Sequence, residues 1–526
     1  MKIRLEADKI WQEYQEGMAY KEGLDLFDTV QQCEDFFVGD QWKGCEAKDL
    51  DKPVMNILRR VVTFFVASIV SDDIGISLET FDRDPAAQPV LRMLEDQLDQ
   101  VMENAKLRPK LRQAIRDAAV DGDCCLHYWF DTEASQGRLK GNLDETPGEI
   151  RAELLENYNV FFGNAQSPEV ERQPWIILRY RMDLTEARQL ARSQGVEEWE
   201  SIQPDEQERG VNTEYEKGKV TVLRKYWKEN GTVHHTEVCR QCVLRKPAET
   251  GYRRYPLVWM PWEKVKNQFH GKGAIAGLIP NQIFINKLYA MAMRHVMMCA
   301  FPKVAYNRAM LPGGWTNRVG EAIPVQGDPN VAIGQGLRVP DMSAQVLQMI
   351  QQVAKDTRDT MGASDASLGN IKPDNTSAIV ATQKATAMPL ELQKMAFYEL
   401  VEDSVRIWLE MMRENYGLRY VRLGQDEQGQ DLVTLFDFAG LEELDLKLNV
   451  DIGASTYWSE IMQVNTMDNL YRSGIINDPV LYLESIPKGY IRNQGDLIRQ
   501  VKQEKQQAEM LAGMQAMGQT GGAPAT

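Results

Sequence analysis

Between residues 271 and 361 the pattern of the chain changes twice, and no other stretch constrains the fold as much. Residues 278–300 read as one long helix rich in Met, Ala and Leu. Its most apolar run, Leu288 to Phe301, is interrupted by Arg294 and His295 and is too short to span a bilayer. From 301 to 340 Gly and Pro recur every few residues, as PGG at 312–314, IPVQGDP at 323–329 and IGQG at 333–336. Such punctuation breaks a helix and predicts a small module of turns and short strands. A second helix opens at Ser343 and runs to Met361. Then comes MGASDASLGNIKPDNTSAIVATQKA (361–385), a polar, Gly-containing loop that leads into another long helix. That helix is expected over 377–416 with Pro389 inside it, where the missing backbone N–H should produce a kink.

The chain before residue 271 mixes both kinds of element. Residues 1–20 read as helix. In DKPVMNILRRVVTFFVASIV (51–70), Pro53 marks a helix start, and Ile57, Val61, Phe64, Phe65 and Ser68 form its expected buried face. Residues 89–105 carry a stripe of Val90, Leu91, Leu94, Leu98, Val101 and Met102. Residues 109–120 form another helix, stopped by Asp121-Gly122, and CCLHYWF (124–130) follows as a strand. Residues 150–262 hold short runs of β-branched and aromatic residues separated by turn residues, which is the strand signal. A helix at 185–195 interrupts them. After Gly417 the chain returns to strands, and DLKLNVDIG (445–453) alternates strictly. Residues 456–511 are again helical in pattern, and 512–526 have the composition of a disordered tail. The fold class is therefore α+β. The length of 526 residues suits roughly three or four domains.

Charge and chemistry exclude more than they suggest. A net charge of −16 argues against a protein that coats nucleic acid, which needs a net basic face. It does not exclude one that lets DNA pass. Lys264 to Gly320 nevertheless contains no Asp or Glu, so this segment is locally basic; its cations either pair with acids elsewhere or meet phosphate. Seven cysteines without framework spacing fit a reducing cytoplasm. MKIRLEADKIWQEYQEG at the start lacks the apolar core of a signal peptide. HHTEVCRQC places His234, His235, Cys239 and Cys242 together, so a zinc site is one reading and an ordinary strand and turn the other. No second CxxC exists to complete a site. HGKGAIAG (270–277) lacks the Gly-Lys-Ser/Thr ending of a phosphate loop and reads as a flexible junction before a helix. With five histidines and no paired catalytic groups, no enzyme activity and no cofactor are expected.

FFVGDQW (36–42) followed by KPVMNILRRVV (52–62), and GKGAIAGLIPNQIFINKLYAM (271–291) with its Gly-x-Gly, then Gln, then Asn, carry a resemblance. So does the order of helix, Gly/Pro module, helix, polar loop and kinked helix. In these features the chain resembles the tailed-bacteriophage portal proteins, the head-to-tail connector group that includes podovirus-type portals.

The resemblance implies a portal fold and a layout. Residues 1–270, with 418–455 returning to them, would form an α/β wing. Residues 271–300 and 343–361 would be stem helices, and 301–342 a clip that docks terminase and later the tail adaptor, through Arg308, Trp315, Asn317 and Arg318. Residues 362–376 would be a tunnel loop, offering Ser367, Asn370, Lys372, Asp374 and Asn375 to DNA, and 377–417 the kinked helix. Residues 456–511 would be the crown. It also implies a homo-oligomeric ring of twelve subunits at one vertex of the virion capsid, assembled in the host cytoplasm with capsid and scaffolding proteins. Non-specific double-stranded DNA would pass through it, and no membrane would be involved. Two alternatives remain open: a zinc-binding module centred on His235, Cys239 and Cys242, and another capsid or head-completion protein without a channel.

Overall fold

The computed structural model describes residues 2–45, 50–70, 74–80, 87–134, 148–206, 214–300, 304–315, 322–336, 344–360, 362, 388–425, 431–443, 446–452, 457–476, 478–486, 497–498 and 500–501. Contacts divide the chain into two units. One comprises 1–370 and 386–452, the other 371–385 and 453–526.

The first unit starts with α1 (Lys2–Gly23) and α2 (Leu26–Val38). Gly39 ends α2 in the left-handed region at φ 108°, with its N–H bonded to the Asp35 carbonyl. Helix α3 (Ile57–Ile69) begins at Asn56, whose side chain caps Arg59 N. Its buried face is Leu58, Val61, Val62, Phe65 and Ile69. The expected face shared only Val61 and Phe65 with this. Ser68 is not in it because α3 meets neighbours on two flanks, α2 and α5, and both draw apolar residues inward. Strand β1 (Ile74–Thr80) follows, then α4 (Ala87–Asn104), which buries Leu91, Leu94, Leu98, Val101 and Met102 as its stripe requires. Helix α5 (Leu107–Asp121) ends at Gly122, φ 105°.

Two antiparallel sheets come next. Strands β2 (Asp123–Asp131) and β3 (Glu149–Leu155) pair with the later β9 (Leu257–Pro261) in the order β3-β2-β9. Strands β4 (Val160–Phe162), β5 (Trp175–Asp183), β6 (Lys219–Glu229), β7 (Thr232–Val238) and β8 (Val243–Glu249) form a five-stranded meander, with α6 (Leu184–Ser193) between β5 and β6. A buried polar network joins the two sheets. His127 on β2 contacts Glu153 on β3 at 2.8 Å and Tyr226 on β6 at 2.9 Å, and the Tyr180 hydroxyl on β5 donates to Glu153 at 2.9 Å. Every member has a partner, which is what lets a polar cluster specify a packing instead of weakening it. Helix α1 is fixed to the meander by the buried Lys21, whose ammonium donates to the carbonyls of Asn157 (2.8 Å) and Val160 (2.6 Å) over the Phe161 ring.

The long helix α7 (Ile279–Ala300) leads to a small module of β10 (Val304–Tyr306), α8 (Pro329–Ala332) and β11 (Ile333–Gly336); β10 pairs with β11. Helix α9 (Ala344–Thr360) returns along α7. Helix α10 (Glu391–Asn415) then enters the main core with Phe397, Leu400, Val401, Val405, Trp408, Met411 and Met412. The Tyr128 hydroxyl donates to Ser404 Oγ at 2.8 Å, and Tyr128 meets Trp408 edge-on. Strands β12 (Leu418–Gln425) and β13 (Asp431–Asp437) form a hairpin, and β14 (Leu446–Ile452) runs antiparallel to β1 with Ile74 opposite Ile452. The C-terminal strands therefore return to the N-terminal half.

In the second unit the described elements are α11 (Tyr457–Arg472) and α12 (Pro479–Glu484). Asp478 caps α12 through Val480 N, and Tyr471 stacks on Tyr482 at 4.6 Å. Among the described residues no helix is long and apolar enough to cross a membrane.

Candidate functional site

The two sequence stretches that carried the resemblance meet in space at the base of α7. Gln282 and Asn286 lie one turn apart on the same face, and both are buried. The Gln282 amide nitrogen donates to the Met55 carbonyl at 2.7 Å, and its oxygen accepts from Ile57 N at 3.1 Å. Asn286 Oδ1 accepts from Met55 N at 3.2 Å and from Gln282 at 3.0 Å; Asn286 Nδ2 donates to Gln41 Oε1 at 2.6 Å. Gln41 in turn donates to the Phe36 carbonyl, and Asn56 Nδ2 to the Phe36 and Phe37 carbonyls. Residues 53–57 are non-helical up to Ile57, so their backbone groups need outside partners. The two amides supply them.

The glycines before α7 form a second clamp. A Cβ on Gly273 would lie 2.6 Å from the Val120 carbonyl oxygen, and one on Gly271 would lie 2.8 Å from that of Gly122. Ala274 N donates to the Ala119 carbonyl at 2.8 Å. HGKGAIAG thus closes over the C-terminal end of α5, where helix carbonyls lack partners of their own. Asp123 holds the same junction, accepting from Gly271 N at 2.6 Å and from His270 Nδ1 at 2.7 Å. The expected flexible junction is instead tightly packed.

The other end of α7 is bare. Met291, Met293, Val296, Met297 and Met298 are exposed, Val296 at 57%. Leu347 and Met349 on α9 are exposed too. Cations of the acid-free segment, among them Lys264, Lys266, Lys272, Lys287 and Arg308, are at the surface. In the small module, Leu311 and Ala332 are buried, and Arg308 and Trp315 are exposed. Asn317 and Arg318 lie outside the described residues.

Ser367, Asn370, Lys372, Asp374 and Asn375 also lie outside the described residues. The two ends of their segment do not. Gly362 follows α9 at φ 74°, and a Cβ built on it would sit 2.8 Å from Pro389 Cβ. The chain therefore leaves at 362 and returns at 389 in direct contact. Pro389 stands in a 3-10 turn, Met388–Leu390, immediately before α10. A proline N-terminal to a helix costs no backbone bond. The helix expected from 377 lies outside the described residues up to 387, so the kink expected at Pro389 concerns geometry beyond that set. A cavity of about 530 Å³ opens beside this point, lined by Phe65, Lys272, Asp359, Gly362 and Pro389 among others.

The candidate zinc ligands do not converge. His234 stacks on Trp227 at 5.7 Å, and His235 lies beside Tyr226 at 6.1 Å. His235 is four residues from Cys239 along a strand, about 13 Å, far beyond a shared tetrahedral shell. Among the described residues no three His, Cys, Asp or Glu side chains gather as a metal site. Sequence reasoning missed the amide clamp because its partners are more than 200 positions apart. Its only local trace is a buried Gln and Asn at helical spacing in an apolar helix.

Comparison with curated proteins gives no match. The model of one family, described as phage P22-like portal protein, matches residues 12–525. With nearly its whole length matched in this way, the chain belongs to the phage P22-like portal protein family.

Proposed function

We propose that the chain closes into a twelve-subunit ring at one capsid vertex, through which double-stranded DNA passes during packaging and ejection. In this reading α7 and α9 are stem helices, residues 301–342 are the clip that docks terminase and then the tail adaptor, and 362–376 are the tunnel loop. Residues 1–270 and 418–455 form the wing, 377–417 the kinked helix and 456–511 the crown. The protein catalyses no reaction of its own.

Family membership supports the portal role, and one physical observation supports the ring: the bare apolar end of α7. Methionine and valine exposed on consecutive turns are unfavourable in a lone subunit, at about 25 cal/mol per Å² left in water. A head-to-tail contact that closes on itself covers such a face in every copy. Flexible thioethers suit an interface that must adjust. The overall acidity agrees with a channel that conducts DNA without gripping it.

Electron microscopy with native mass measurement on one purified sample tests this. Twelve chains of 59.9 kDa correspond to about 0.7 MDa. Rings with a central hole near that mass are expected. A monomer at every concentration, with or without capsid and scaffolding proteins, would refute the ring.

A further inference from the structure

Cys239 and Cys242 flank the two-residue turn Arg240-Gln241 between β7 and β8. The amide of Cys239 donates to the Cys242 carbonyl at 2.9 Å, so the turn is already closed by the backbone. The two sulfurs are 3.8 Å apart, and the Cys242 amide points at Cys239 Sγ from 3.4 Å. Both thiols are buried against a small core of Ala187, Ala191, Ile202, Val220, Val222 and Leu244. Arg240, between them, is exposed.

We propose that Cys239 and Cys242 are a redox modification site, forming a reversible disulfide that staples the β7–β8 turn. The sulfurs need to approach by about 1.8 Å to reach bonding distance, which side-chain rotation within a closed turn supplies. The remaining buried cysteines differ. Burial pushes the Cys33 thiol up to about 12 and raises those of Cys124 and Cys125. Cys239 alone is drawn down, to about 7, first by its hydrogen bond with Cys242 and then by backbone amides of the turn, against the effect of burial. The Cys242 amide aimed at Cys239 Sγ favours negative charge on that sulfur, which makes Cys239 the attacking group and Cys242 the resolving one.

A small oxidant suits sulfurs with so little surface. The Cys239 thiolate attacks one oxygen of hydrogen peroxide; the O–O bond breaks, and the departing hydroxide takes a proton to become water. The Cys239 sulfenic acid is then attacked by the Cys242 sulfur as its thiol loses a proton. The S–O bond breaks, and the hydroxide leaves with that proton as a second water. Two thiols and one peroxide give one disulfide and two waters, and the protein loses two electrons. The staple is independent of the portal reading, although a particle that leaves a reducing compartment would meet conditions that favour it.

The test uses the full-length reduced protein, with its oligomeric state measured first so that a failure of the ring and a failure of the staple are told apart. After graded hydrogen peroxide and alkylation, trypsin cuts after Arg240. The expected result is that peptides 229–240 and 241–245 stay joined, with a mass lower by two hydrogens, and separate on reduction. This should occur at peroxide levels that leave Cys33, Cys124 and Cys125 reduced. Separate, alkylated peptides under conditions that oxidise the exposed Cys45 or Cys299 would overturn the proposal. In Cys242→Ser a dimedone adduct should accumulate at Cys239, and in Cys239→Ser none should appear at Cys242. Equal labelling of the two variants, or none in either, would overturn the assigned order of attack.

Discussion

Replacing Asn286 with alanine is the most direct test of the amide clamp at the base of α7. The side chain is 2% exposed and satisfies three groups: Met55 N–H, the Gln41 oxygen and one Gln282 N–H. Gln282 keeps its bond to the Met55 carbonyl, so two groups lose their partner outright. Each buried polar group left unpaired costs about 1–3 kcal/mol. Allowing for a water that enters the space of the lost amide, the total is about 2–4 kcal/mol. The loss is local, and it opens the segment of residues 53–57. At about 1.4 kcal/mol per tenfold, protection of the Met55 amide against hydrogen exchange should fall about 30- to 1000-fold. Peptides from β5 and β6 should not change. Lys287→Ala, an exposed neighbour on the same helix, serves as control. A double-mutant cycle with Gln41→Ala should show coupling of about 1 kcal/mol, since the two side chains share a hydrogen bond. Unchanged exchange at Met55 in Asn286→Ala would refute the clamp.

Further expectations follow from the same structure. Gly273→Ala should lower the thermal midpoint, because its Cβ would press on the Val120 carbonyl at a cost of about 1–3 kcal/mol; a midpoint equal to the parent's would contradict the packing described. Burial, with Arg245 nearby, lowers His235 from 6.5 to about 4. The unfolded chain therefore binds a proton first, and stability present above about pH 6.5 is lost as pH falls toward 4. His235→Gln should flatten the pH dependence of the midpoint across that window, and parallel curves would count against it. Met297→Glu should prevent ring closure without unfolding the subunit, as read by native mass and circular dichroism; rings indistinguishable from the parent's would remove α7 from the interface. Deleting residues 364–375 should leave assembly intact and impair packaging, because Gly362 and Pro389 already touch; loss of the ring would argue against the loop assignment.

Much of the order of helices and strands is legible because it rests on local periodicity. The α4 stripe, the β-meander and the helix–module–helix order all repeat on a scale that a short window captures. Helix α2 also carries a local signal in Leu26, Val30, Cys33 and Phe36, although its last turn overlaps FFVGDQW. The face of α3 was misjudged because a helix between two neighbours has no single stripe. The clamps were illegible for a different reason. They depend on which backbone meets which amide or glycine across long separations, and no pattern in the chain records that. The CxxC could be seen, but strand spacing decided that its histidines point to other neighbours.

Helix α7 is, in mechanical terms, a cantilever. Its root is pinned by Gln282 and Asn286, and about 21 Å of helix extends beyond Asn286 to Ala300 at 1.5 Å per residue. A tilt of about ten degrees at the root moves the tip by about 4 Å over that length. The two pinning amides are about 6 Å apart along the helix, so a shift of about 1 Å between them is enlarged to about 4 Å at the module carried between α7 and α9. The surface bearing Arg308 and Trp315 can change its aim while the sheets behind the root keep their register.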